Sequence, residues 1–371
     1  MTPANLVNDL LSKALRGEPV FWPTTQDEAF ENSFLDMSSA HEAQSLLHHS
    51  LSKTASWETW PERVRETVTR EVLFQGVQKL LRKKELARVL KALHQKEISV
   101  FLMKGMPLSY AIYPYPHLRP CSDIDLLIQK DDFETVKETM AHFGYAMPNA
   151  VSGDFVSHQC TFVRKDRHGI EHAYDFHWRI SNPALFSNLL SFEEIQEKSI
   201  GVSPLGKHAR ALCPEHALLL ACVHRVAHHH DEEKLIWLYD IHLLTQKMGP
   251  RQMENFVRLA KEKKVAQICR RGLLLTKKWL GSPLPEGLLE DLDANAKRGE
   301  LSAHYLKPGN VFLRDMTLNL KTLRRRDRLK LFIEIAFPPA DYMFRKYAVS
   351  NPNPFLLPLL YIHRGFRGIP K

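Results

Sequence analysis

The sequence predicts an α+β protein, with a small sheet set between an N-terminal helical region and a mainly helical C-terminal one. Three observations predict it. Helical hydrophobic spacing fills residues 1–95 and returns after 182, whereas short apolar runs of strand character alternate with short helix-like segments in between. One of those runs, 122–128, carries two aspartates one residue apart, Asp123 and Asp125, followed by Leu126, Leu127 and Ile128. No internal repeat or low-complexity segment interrupts the pattern.

In chain order, 5–15 and 39–51 have apolar residues at helical intervals, and 17–25, with two prolines, reads as a connector. Pro61 suits a helix start, so 64–95 reads as one long helix or two abutting ones. Residues 98–103 are strand-like, 107–112 helix-like and 122–128 strand-like. An amphipathic helix over 131–143 has an acidic first turn, which the helix dipole favours, and Gly144 ends it. Strands at 155–165 and 170–180 are joined by Asp166-Arg167-His168-Gly169, a good short turn. After Asn182, helices are expected over 214–224, 232–246, 253–264 and 266–280, with a loop at 281–285 and a short apolar-basic helix over 355–367. The expected regions are 1–95, 96–182 and 183–371.

The composition is that of an ordinary globular chain: 371 residues, 44% hydrophobic and 25% charged. No apolar run approaches the ~18 residues of a membrane span, and the first residues lack a secretory signal, so a cytoplasmic protein is expected. The five cysteines are dispersed without Cys-x-x-Cys spacing, which fits reduced thiols better than disulfides or a zinc site. The net charge is +9, part of it concentrated between 297 and 330, including Arg324, Arg325, Arg326 and Arg328. Such a run attracts polyphosphate or nucleic acid, or else forms a solvated helix face.

On a strand, residues i and i+2 share a face, so Asp123 and Asp125 project together while Ile124 points away. Two carboxylates on one face repel, and a divalent cation with hard oxygen ligands is the usual reason for them to coexist. With Lys104-Gly105, Tyr113, Pro116, Arg119 and Pro120 before it, the stretch Asp123-Ile124-Asp125-Leu126-Leu127 resembles the core of the nucleotidyltransferase superfamily, which includes DNA polymerase beta and CCA-adding enzymes. More narrowly it is similar to a bacterial branch known only as nucleotidyltransferase family proteins. The resemblance continues at Asp175-Phe176-His177-Trp178-Arg179, over 215–244 and over 337–368. Gly105 is followed by Met106 where the superfamily signature has Gly or Ser, and the gap to Asp123 is longer than usual.

The resemblance implies a small mixed β-sheet and a transferase, dependent on two Mg2+ ions (Mn2+ being the other candidate), that binds an NTP such as ATP. It would move a nucleoside monophosphate to an acceptor hydroxyl and release pyrophosphate. Asp123 and Asp125 would hold the metal. The third carboxylate of such a site would be Asp175, with Glu171, four residues earlier on the same face, as its rival; Asp175 is mid-strand and better placed. Lys104 and Gly105 would cradle the triphosphate, Arg119 would bind phosphate unless a nearby acid claims it, and His177 would touch a phosphate or the acceptor. The acceptor is open: RNA is favoured by the basic run, with protein and small molecules as alternatives.

His224, His228, His229 and His230, with Asp231, form a histidine cluster that reads either as a transition-metal site or as a polar helix end lining a cleft. Two other functions compete with the transferase. A type A glycosyltransferase also uses Asp-x-Asp, but needs a longer β-α-β region before the motif than this chain has. A non-catalytic nucleotide- or RNA-binding protein would keep the fold without turnover.

Overall fold

The computed structural model describes residues 3–24, 27–148, 155–294, 299–349 and 351–367. Thr25, Lys297, Arg298, Ser350 and Gly368, which fall within stretches singled out above, lie outside the described residues. Helices α1 (Pro3–Leu15), α2 (Glu28–Ala40) and α3 (Gln44–Leu51) open the chain. They pack with the start of α4 (Glu62–Gln95) around Trp22, Phe34, Trp57 and Trp60, whose rings sit 5.1–5.3 Å apart between centroids. The single helix expected over 39–51 is broken at His41 to Ala43. There Glu42 takes a φ of 51° and its carboxylate meets Lys234 Nζ at 2.6 Å, a long-range contact that local periodicity does not register. The long helix is continuous: α4 spans 34 residues, with Pro61 immediately before it.

The sheet region follows as β1 (Phe101–Met103), α5 (Gly105–Ala111), β2 (Asp123–Leu127), α6 (Phe133–His142), β3 (Gln159–Lys165) and β4 (Glu171–His177), the expected β-α-β-α-β-β order. Gly144, at φ 77°, lets the chain leave α6 where a side chain would be strained. Then come α7 (Ala184–Ser187), α8 (Phe192–Lys198), β5 (Ile200–Gly201), β6 (Arg210–Ala211), α9 (Pro214–Ala227), α10 (Leu235–Lys247), α11 (Pro250–Glu262) and α12 (Ala266–Leu280). The tail adds α13 (Leu288–Asp293), α14 (Val311–Thr322), α15 (Arg325–Ala336), α16 (Ala340–Lys346) and α17 (Leu357–Arg367).

Among the described residues the strands form one mixed sheet in the order β3-β4-β2-β1-β6-β5. Strands β2 and β4 are parallel; β1 runs antiparallel to β2 and β3 antiparallel to β4. Strands β5 and β6, two residues each, are too short for an alternating pattern, and tertiary pairing defines them: Ala211 is held beside Leu102. One face of the sheet (Ile124, Leu126, Phe162, Tyr174, Phe176) packs on Leu86, Val89, Leu90 and Leu93 of α4. The other face (Phe101, Met103, Leu127) joins the C-terminal helices through Leu218, Val223, Ile241 and Leu273. Leu126 is fully buried, so truncating it to Ala would cost roughly 2–5 kcal/mol. No described helix is long and apolar enough to cross a membrane.

Candidate active site

Strand β2 delivers Asp123 and Asp125 to the face covered by the C-terminal helices. The parallel register sets Asp125 beside Asp175 and Leu127 beside His177. On β4, His172, Tyr174 and Phe176 are buried on the α4 side, which leaves Ala173, Asp175 and His177 to alternate onto the side of the aspartates. Ligand atoms of Asp125, Asp175 and His177 all lie within 4.8 Å of one another. Thr161, opposite Asp175 on β3, donates its hydroxyl to Asp175 Oδ1 at 2.6 Å and orients that carboxylate. Glu171 starts β4 and is exposed.

Lys104 sits at the turn from β1 into α5. Its neighbour Met103 is paired with Asp125, so the side chain has a short path to that acid, and Lys104 Nζ meets Asp125 Oδ1 at 2.6 Å. The same oxygen lies 2.9 Å from His177 Nε2. Reaching this position puts Lys104 at φ 55° and ψ −132°, a strained conformation for any residue but glycine. Gly105 follows for a steric reason: a Cβ there would come within 3.0 Å of Cys121 Sγ and 3.4 Å of the Arg119 guanidinium.

These contacts divide the carboxylates electrostatically. Burial opposes ionisation of Asp125, but Lys104 and the His177 hydrogen bond outweigh it and hold the carboxyl below its usual range. Asp123 is shifted the other way, first by burial and then by the negative charges of Asp125 and Asp175. Lys104 meets one of these acids directly, and the repulsion of Asp125 and Asp175 on Asp123 remains. A positive ion would relieve it. The donor set fits one: two or three carboxylates are hard oxygen ligands of the kind Mg2+ and Mn2+ take, and an imidazole beside them extends the choice to softer ions.

The segment leading into β2 is clamped from two sides. Lys79 and Arg82, buried on α4, reach the backbone carbonyls of Arg119 and Cys121; the Lys79 bond is 2.7 Å. From the opposite side Asp240 of α10, itself buried, accepts from Arg119 Nε at 3.0 Å and Nη2 at 2.9 Å, and from the Tyr113 hydroxyl at 2.7 Å. Arg119 is thus committed to Asp240, while Lys104, Asp123, Asp125, Asp175 and His177 come together. Lys79, Arg82, Thr161 and Asp240 are the supporting residues that motif reading passed over. A signal for the first two was present: 79, 82, 86, 89 and 93 form one 3-4-3-4 stripe, so Lys79 and Arg82 continue the buried apolar face of α4.

A cavity of about 250 Å³ opens beside β2. Lys104, Gly105, Asp123 and Asp125 line its polar end, and Leu108, Val202 and Leu212 contribute to an apolar wall. His224 and His229 also line it, with the His229 ring 4.1 Å from Trp237. Burial, then the charge of Lys104, keeps these histidines neutral: His229 is pushed down to about 4 and neighbouring His228, bonded to Ser181 Oγ at 3.0 Å, to about 3. Among the described residues the group with metal-ligating geometry is on the sheet, not in this cluster.

The mixed sheet and its carboxylate group agree with a nucleotidyltransferase-type protein. A family profile described as an uncharacterised nucleotidyltransferase matches residues 27–281, and the chain belongs to that family. No curated protein matches the chain.

Proposed function

We propose that the protein transfers a nucleoside monophosphate from an NTP to an acceptor hydroxyl, with Asp123, Asp125 and Asp175 as the metal-holding and catalytic acids. The observation that carries this reading is the side-by-side register of Asp125 and Asp175, next to a cavity that Asp123 and Asp125 line. When bound, Mg2+ would neutralise phosphate charge and promote attack by the hydroxyl at the α-phosphorus. The acceptor oxygen forms the new P–O bond, the bond to the β-phosphate breaks, and pyrophosphate leaves.

In this reading Asp175, held by Thr161, takes the proton of the acceptor hydroxyl. Asp125 offers a cation its second oxygen, because Lys104 and His177 both meet Oδ1. His177 then fixes the rotamer of Asp125, and Lys104, which lines the cavity, is assigned to a phosphate oxygen. Among the described residues of the basic run, none lines this cavity. A non-catalytic nucleotide-binding protein is the second reading, favoured by the Lys104–Asp125 ion pair, which already compensates one of the acids.

The test is incubation of the purified protein with each labelled NTP, Mg2+ and cell extract, followed by identification of what becomes labelled. Pyrophosphate release with label transferred to an acceptor is expected. NTP binding without turnover under every condition would establish the second reading in its place.

A further inference from the structure

The charge of this chain is unevenly divided. Of its 51 Lys and Arg, 13 fall in residues 301–371 together with 4 of the 42 acids, so the preceding 300 residues hold 38 of each and the whole net charge of +9 belongs to the tail. The family match ends at 281, before this segment begins. The tail is also where apolar side chains are left outside: among the described residues, 11 of the 18 exposed large hydrophobics lie beyond residue 300.

Helix α15 separates the two properties by face. On one side Leu331 is buried, Glu334 accepts from the Phe155 amide at 2.7 Å and Lys330 lies over the Phe155 ring, which docks the helix on the body of the protein. At 100° per residue the opposite side carries Arg325 and Arg326 and, one turn on, Leu329, Phe332 and Ile333, which are 64%, 47% and 50% exposed. Helix α17 is tied to the end of α15: the Tyr361 hydroxyl donates to the Pro338 carbonyl at 2.7 Å and Arg364 reaches the Ile335 carbonyl. It adds Leu359 and Ile362, 64% and 56% exposed, and Phe355 just before it is 88% exposed.

We infer that this face docks on an anionic lipid surface. Arginines and bulky aliphatic or aromatic side chains on one exposed helix face match what an interfacial helix needs: lipid headgroup charge for the guanidinium groups and the acyl boundary for the leucine, isoleucine and phenylalanine side chains. Nucleic acid would use the same charge, but a phosphate backbone has nothing to offer Leu329 and Ile333. A second copy of the chain would cover the apolar residues while bringing a net charge of the same sign against them.

The experiment is co-sedimentation of the full chain with phosphatidylcholine vesicles, with and without about a third phosphatidylglycerol. Binding to the anionic vesicles is expected to be at least about tenfold tighter, and to fall towards the neutral level in about 0.5 M salt, an arm that needs no variant. Arg324→Glu/Arg325→Glu/Arg326→Glu and, separately, Leu329→Ser/Phe332→Ser/Ile333→Ser should each lose most of that binding while the chain stays folded, as circular dichroism and a cooperative melting transition report. Absent or equal binding to the two vesicles overturns the inference. So does an apolar triple variant that binds as well as the parent, which leaves a solvated or RNA-binding basic patch. A parent dimer that the same variant converts to monomer also overturns it, in favour of a second copy.

Discussion

Two buried acids, one bonded to the segment that leads into β2 and one on β2 itself, make an instructive pair. Asp240 accepts three hydrogen bonds from Arg119 and one from the Tyr113 hydroxyl, with Glu42 and Lys234 as a further ion pair at the edge. Each negative charge there has a cation of its own. Asp125 instead shares Lys104 with a neighbourhood that includes Asp123 and Asp175, and the imbalance shows in the raised pKa of Asp123. A buried charge that only holds the fold together is worth having when it is paired, because an unpaired one costs several kcal/mol. A surplus of acids that no side chain neutralises is the mark of a site awaiting a ligand.

The comparison can be broken at either end. The largest effect is expected from Asp125→Asn, and from Asp123→Asn beside it: nucleotide transfer falls to background while far-UV and near-UV circular dichroism stay those of the parent. Full activity in either purified variant would remove the carboxylates from the chemistry. Asp175→Ala should abolish turnover yet largely spare NTP affinity, because its carboxylate is assigned to the attacking hydroxyl; equilibrium binding of labelled NTP separates the two effects. Asp240→Ala should act on stability instead. Leaving the Arg119 guanidinium buried without its partner costs roughly 3–5 kcal/mol, readable as a lowered midpoint in urea. The smallest change is expected at Glu171→Ala, an exposed acid at the start of β4, with stability within about 0.5 kcal/mol of the parent and most activity retained. If Glu171 and Asp175 exchange these outcomes, the register of β4 is not the one described.

The fold and the acids were legible in the sequence to different depths. Period-two alternation in 170–180 placed Tyr174 and Phe176 on the buried side and Asp175 with the Asp-x-Asp pair, and the register agrees. Helices with a strong apolar stripe, such as α12 over Ala266–Leu280, were readable to their ends. What stayed hidden depends on contacts distant in sequence. Strand β6 exists through pairing with β1 and β5 through pairing with β6, and the break between α2 and α3 coincides with Glu42 reaching Lys234. Arg119 illustrates the limit at the site: its partner Asp240 lies 121 residues away, so nothing local distinguished a phosphate ligand from one half of an ion pair.

The turn at Lys104 has a consequence for what selection can adjust. No amino acid combines an ammonium group with the conformational freedom of glycine, so the residue that reaches Asp125 must occupy a backbone region costing on the order of 1–3 kcal/mol. Lys104→Gly would release that strain and delete the charge in one step. The expected variant resists urea better than its loss of an ion pair would suggest, and turns over more slowly. At this position robustness and activity pull on the same residue in opposite directions, and a stabilised version of the protein would have to be sought elsewhere in the chain.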